Sequence, residues 1–174
     1  MKVIALIIMA CSIMPGYAMS TEKKIIYGYV EKATLVDKNL LLSAKLDTGA
    51  KSASLSAIDI KKIVINGTSY LRFTVPSKQG NVVFTSEYIG RVKIKTRVEE
   101  NKQVIAEPNA MRRPVVLLRI RIGAMERIIP VNLTNSRHFI YPLLLGRDAI
   151  NAFSGLVDPS TAFLIDPILV KNAT

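Results

Sequence analysis

Leu40-Leu41-Leu42-Ser43-Ala44-Lys45-Leu46-Asp47-Thr48-Gly49-Ala50 is the stretch whose reading decides the fold. An apolar run ends abruptly on a carboxylate, a hydroxyl and a glycine, the pattern of a buried strand that leaves its sheet through a tight turn. A second apolar run, Leu143-Leu144-Leu145-Gly146-Arg147-Asp148, also ends on glycine and lies far along the chain. Around these two runs the pattern is β throughout. Short strands are predicted at 25–30, 40–46, 63–65, 68–75, 82–85, 91–98, 115–122, 127–133, 155–157 and 161–165. Asn66-Gly67 predicts a hairpin turn, because a type I′ turn needs positive φ at both central residues. A second turn is expected at 76–81, and residues 99–113, polar and containing Pro108, read as one long surface loop. The one helix expected is short, over 147–153, directly after the Leu143-to-Gly146 run. The fold class is all-β, and frequent short strands predict a closed or nearly closed barrel.

The 174 residues suit one domain with a proper core. Residues 1–18 read as a signal peptide: Lys2, an apolar run over 3–10, a break at Pro15-Gly16, and small residues at Gly16 and Ala18 for cleavage near Ala18. Export, to a periplasm, is therefore expected, with residues 19–174 as the folded domain. The competing reading, lipid anchoring at Cys11, is weaker because the cysteine falls unusually early. Cleavage near Ala18 would remove the single cysteine and leave a chain held by packing alone.

Net charge is +11. In Arg91-Val92-Lys93-Ile94-Lys95-Thr96-Arg97, and at Arg119 and Arg121 among Leu118, Ile120 and Ile122, cations alternate with apolar or neutral residues. That period of two puts the charges on the wet face of half-buried strands. There is no Trp, and aromatics are not interleaved with the basic residues, so nucleic acid is not an expected partner.

One histidine, His138, and a lone cysteine supply no usual zinc set; no His-Glu-x-x-His, Gly-x-Ser-x-Gly or phosphate-cradling glycine loop occurs. His138 reads as a rim residue. Carboxylate chemistry remains, centred on Asp47. Two carboxylates about 3 Å apart cannot both ionise cheaply and so share a proton. The ionised one can then act as general base on a water while the other donates to a carbonyl oxygen. The chain has one Asp-Thr-Gly; Asp158-Pro159-Ser160 and Asp166-Pro167 lack the glycine and read as turns. The second carboxylate must then come from another copy, across a two-fold axis.

The chain resembles the bacterial retropepsin-like aspartic peptidases, whose members are often labelled ATP-dependent zinc proteases. The resemblance is carried by Ala44-Lys45-Leu46-Asp47-Thr48-Gly49-Ala50-Lys51-Ser52, Leu71-Arg72-Phe73, Arg113-Pro114-Val115-Val116, Ile129-Pro130-Val131-Asn132-Leu133-Thr134-Asn135 and Leu143-Leu144-Leu145-Gly146-Arg147. It implies a closed retropepsin-like acid-protease barrel, a homodimer, and hydrolysis of peptide or isopeptide bonds in a peptide or protein substrate. It implies Asp47 as catalytic, with Thr48, Gly49, Ala50, Gly146 and Arg147 shaping and supporting the active turn. The Thr48 side chain would fasten that turn by hydrogen bonding. The hairpin tip Ser77, Lys78, Gln79, Gly80 becomes a candidate flap. Nothing in these residues supports zinc or ATP, so no metal and no cofactor is expected. Similar proteins are associated with ATP-grasp peptide ligases, which makes such a system a possible functional partner. Viral retropepsins tend to place an acid just after the active turn, paired with the later Arg; Lys51 stands there, so Arg147 needs another partner. The alternative reading is a peptide-binding module with the same fold and no productive carboxylate pair.

Overall fold

A computed structural model describes residues 23–78, 80–94, 111–135 and 140–167. The expected signal peptide with Cys11, and also Gln79 and His138, lie outside these residues, as do 95–110.

Eleven strands and a single α-helix are present among the described residues: β1 (Ile25–Gly28), β2 (Val30–Leu35), β3 (Leu40–Asp47), β4 (Ala53–Ser56), β5 (Ile58–Ile65), β6 (Thr68–Ser77), β7 (Gly80–Ile94), β8 (Met111–Ile122), β9 (Met125–Thr134), β10 (Leu143–Gly146), α1 (Arg147–Ala152) and β11 (Gly155–Asp158). The main sheet runs β2-β3-β10-β4-β9-β8-β7-β6-β5, and β2 also pairs with β8. That second pairing closes β2, β3, β10, β4, β9 and β8 into a barrel and removes their free edges. The strands β7, β6 and β5 continue outward from β8, while β1 pairs in parallel with β11.

Alternation builds the core. In β3 Leu40, Leu42, Ala44 and Leu46 are buried while Leu41, Ser43, Lys45 and Asp47 take the other face. Val116, Leu118, Ile120 and Ile122 of β8 point inward, and Arg119 stays in water. Arg91 and Lys93 are exposed as well, on the wet face their spacing predicts. The appended strands bury one face in the same core: Phe73 and Phe84, paired across β6 and β7, stack with ring centroids 5.7 Å apart.

Asn66 (φ 48°) and Gly67 (φ 80°) both adopt positive φ between β5 and β6, as the type I′ reading requires. Elsewhere the chain departs from its sequence pattern. The strands expected at 82–85 and from 91 belong to one strand, β7. Between them Glu87 is exposed while Ser86 is buried, and the strand runs on through a register shift between Tyr88 and Gly90. Pro76 and Gly80 belong to strands rather than to the turn. Residues 111–113, expected in a loop, start β8. Residues 161–165 form no strand. Their backbone is instead fastened by Glu31: its carboxylate is fully buried and accepts from the N–H groups of Gly28 (2.7 Å), Leu164 (3.0 Å) and Ile165 (3.2 Å). A buried carboxylate is tolerated because three backbone donors satisfy it.

Candidate active site

The site is built where β3 and β10 end together. They run in parallel with Gly146 opposite Asp47, and β10 also pairs antiparallel with β4. The chain therefore leaves β3, crosses over the end of β10 through residues 48–52, and re-enters the sheet as β4 on the far side. Gly146 is what permits the crossing. A Cβ there would lie 2.6 Å from the Ser52 carbonyl oxygen and 2.7 Å from the Lys51 carbonyl carbon and oxygen, although its φ of −80° suits any residue. Close approach of backbone, not conformational freedom, demands the glycine.

Asp47 closes its own turn. One carboxylate oxygen accepts from the N–H groups of Gly49 (2.9 Å) and Ala50 (3.2 Å), which fixes the plane of the carboxyl group. The other oxygen lies 3.6 Å from the Lys45 ammonium, and the side chain keeps 28% of its exposure. Asp47 is thus held rigidly by the backbone yet open on one side.

Arg147 locks the turn from behind. One guanidinium nitrogen donates to the carbonyls of Thr48 (3.0 Å) and Gly49 (3.1 Å). The Arg147 and Asp148 N–H groups, which begin α1 and have no partner within it, donate to the carbonyls of Ala50 (2.9 Å) and Lys51 (3.0 Å). Arg147 therefore finds its partners in main-chain carbonyls, and an acid at position 51 is unnecessary. The side-chain fastening expected of Thr48 is replaced by this arrangement: Thr48 is exposed, and its hydroxyl makes no hydrogen bond among the described residues. The structure thus brings Asp47, Thr48, Gly49, Ala50, Gly146 and Arg147 into one cluster.

The expected flap residues lie elsewhere. Ser77, Lys78 and Gly80 are at the β6–β7 tip, where the Ser77 hydroxyl donates to the Gly80 carbonyl (2.7 Å). Ser77 and Lys78 line a cavity of about 650 Å³ with Leu41, Ser43, Tyr141 and Pro142, against the start of β3 rather than at its Asp47 end.

Asn132 is a supporting residue that the pattern did not single out. Almost fully buried in β9, it donates to the Ala53 carbonyl and the Ser52 hydroxyl and accepts from the Ser54 hydroxyl (3.0 Å). It pins the first residues of β4 after the crossing. The signal was an amide amid apolar Val131 and Leu133. Asp158 accepts from the Ser160 N–H and hydroxyl, which hold its carboxyl below the usual carboxylate range; it closes a turn, as its sequence suggests.

Residues 26–167 match the family described as Retropepsin-like aspartic endopeptidase RimB. The chain belongs to the RimB-like family. The crystal structure of a protein of unknown function (DUF785) from Legionella pneumophila subsp. pneumophila superimposes on the RimB-like barrel with a TM-score of 0.71 and 56% sequence identity, over 82% of this chain and 98% of that one. A protein named probable alpha-L-glutamate ligase, from Shewanella pealeana, is 27% identical over 128 residues. Those residues are 71% of this chain but 26% of the ligase, so this chain spans about a quarter of that relative's length.

Proposed function

We propose that the protein is an aspartic endopeptidase in which two copies each contribute Asp47 to one catalytic pair. The observation that carries this reading is the Asp47 turn: one carboxylate per chain, oriented by two backbone N–H groups, buttressed by Arg147 and Gly146, and open on one side. On a two-fold axis the ionised Asp47 takes a proton from a water, whose oxygen attacks the scissile carbonyl carbon. The protonated Asp47 gives its hydrogen to the carbonyl oxygen. When the tetrahedral adduct collapses, the C–N bond breaks, the leaving amine takes the proton that the first Asp47 gained from water, and a hydroxyl of the adduct returns its proton to the second Asp47, so the pair again holds one proton. Family membership supports the reading, and the barrel supplies the rigid strands such a pair needs.

The Lys2-to-Ala18 pattern supports export with cleavage near Ala18, to be read by N-terminal sequencing of the mature protein. The likeness to part of a probable alpha-L-glutamate ligase supports action on peptide bonds within a system that includes an ATP-grasp ligase.

The test is Asp47→Asn. The parent should hydrolyse peptides with a bell-shaped profile on the acidic side, and the variant should lose turnover while its circular dichroism and thermal unfolding stay those of the parent. A variant that hydrolyses as fast as the parent would refute the assignment.

A further inference from the structure

The outer face of β3 leads from the Asp47 turn straight to the large cavity. Leu41, Ser43, Lys45 and Asp47 share that face by strand alternation, and on the neighbouring strand Leu144 sits opposite Lys45. Leu41 and Ser43 line the cavity, as do Tyr141 and Pro142, which run directly into β10. From Ser43 to Asp47, and from Pro142 to Gly146, the span is four strand residues, roughly 13 Å at the usual rise. The floor is fixed, because the Pro142 carbonyl accepts from the Ser56 N–H at 2.8 Å. At the rim Ile140 is 88% exposed, a large aliphatic side chain with no cover. Lys32 and Lys78 add positive charge to the lining, and the Lys32 ammonium already donates to the Ser43 hydroxyl (3.1 Å) and sits over the Phe163 ring.

We infer that this cavity is a distal substrate pocket, which takes a bulky apolar side chain three to four residues from the bond to be cleaved. The inference rests on the peptidase reading of Asp47. An extended peptide advances by about the same rise per residue as the strands beneath it, so a residue three or four positions from the scissile bond reaches the cavity. The occupant is apolar because Leu41, Ile140, Tyr141 and Pro142 dominate the lining, and the two cations disfavour Lys or Arg there. In a two-fold dimer each copy brings one such pocket, so the preference applies on both sides of the bond.

The experiment uses synthetic fluorogenic peptides identical except for Phe, Gly or Lys at the fourth position on each side of the cleaved bond. The parent should cleave the Phe peptide with kcat/KM about ten-fold above the Gly peptide, the scale of burying one apolar side chain, with the Lys peptide lowest. Ser43→Phe fills the pocket and should bring the Phe-to-Gly ratio to about two-fold or less. Leu41→Trp fills it from the neighbouring position and serves if Ser43→Phe loses its circular dichroism. Equal cleavage of the Phe and Gly peptides by the parent, or an unchanged ratio in a folded pocket-filled variant, would overturn the inference. Fluorescence anisotropy of the same peptides on the Asp47→Asn protein separates the two readings. If no peptide is cleaved by the parent but Phe binds about ten-fold tighter than Gly and Ser43→Phe abolishes the difference, the pocket stands and the catalytic reading falls. Binding without that difference, or no binding, overturns the pocket whatever the catalysis.

Discussion

Replacing Gly146 by alanine should unfold the active turn by steric force alone. The added methyl would lie 2.6–2.7 Å from main-chain atoms of Lys51 and Ser52, which cannot swing aside as a flexible side chain can. The crossing of residues 48–52 must lift, and the hydrogen bonds from the Arg147 and Asp148 N–H groups to Ala50 and Lys51 lengthen or break. Overpacking typically costs about 1–3 kcal/mol, and two weakened hydrogen bonds add about 1 kcal/mol each, so the loss should be roughly 3–5 kcal/mol. For a domain of this size that lowers Tm by roughly 10 °C. Gly67→Ala is the internal control. Its φ of +80° disfavours any side chain, but a Cβ there meets nothing within 4 Å, so the cost should be about 1 kcal/mol. Both variants are compared by urea denaturation and thermal scans. If Gly146→Ala proves as stable as the parent, or loses less than Gly67→Ala, the close crossing over β10 is wrong.

Other perturbations probe separate parts of the molecule. Glu31→Gln retains the shape but replaces one accepting oxygen with a donor facing a backbone N–H, and should cost about 2–3 kcal/mol in urea denaturation, with early proteolysis after residue 160. Arg147→Lys removes the guanidinium that bridges the Thr48 and Gly49 carbonyls; turnover should fall at least ten-fold while stability drops by about 1 kcal/mol. Burial pushes the Tyr27 hydroxyl above its ordinary 10.0, so the folded state holds that proton longer than the unfolded chain. Its contribution is complete below pH 10 and is lost as pH rises through the folded value; Tyr27→Phe should flatten that alkaline limb of stability.

Much of the barrel was legible because its strands obey simple periods. The β3 alternation, the Asn66-Gly67 turn and the run from Leu143 into α1 each announce their structure locally. β2 did not, because Glu31 breaks its apolar pattern, and two of the three backbone donors that let a carboxylate be buried there lie more than 130 residues away. β4 is three small residues and Leu55, a stretch with weak strand preference, held by Asn132 and by pairing on both sides. Residues 161–165 read as a strand, but among the described residues their backbone bonds only to residues 29–30 through Thr161 and Phe163, while Glu31 takes the Leu164 and Ile165 donors. At the site, the Asp-Thr-Gly turn and the Gly-Arg buttress were readable as a pair. The partner of Arg147 was not, since main-chain carbonyls leave no trace in side-chain identity.

The distance between the two Asp47 carboxyl groups, measured in a crystal structure of the assembled protein at acidic pH, bears most directly on the central claim. Carboxyls about 3 Å apart across a two-fold axis, near enough to share one proton, are predicted. A strictly monomeric protein, or a dimer whose Asp47 side chains face away from each other, would contradict it.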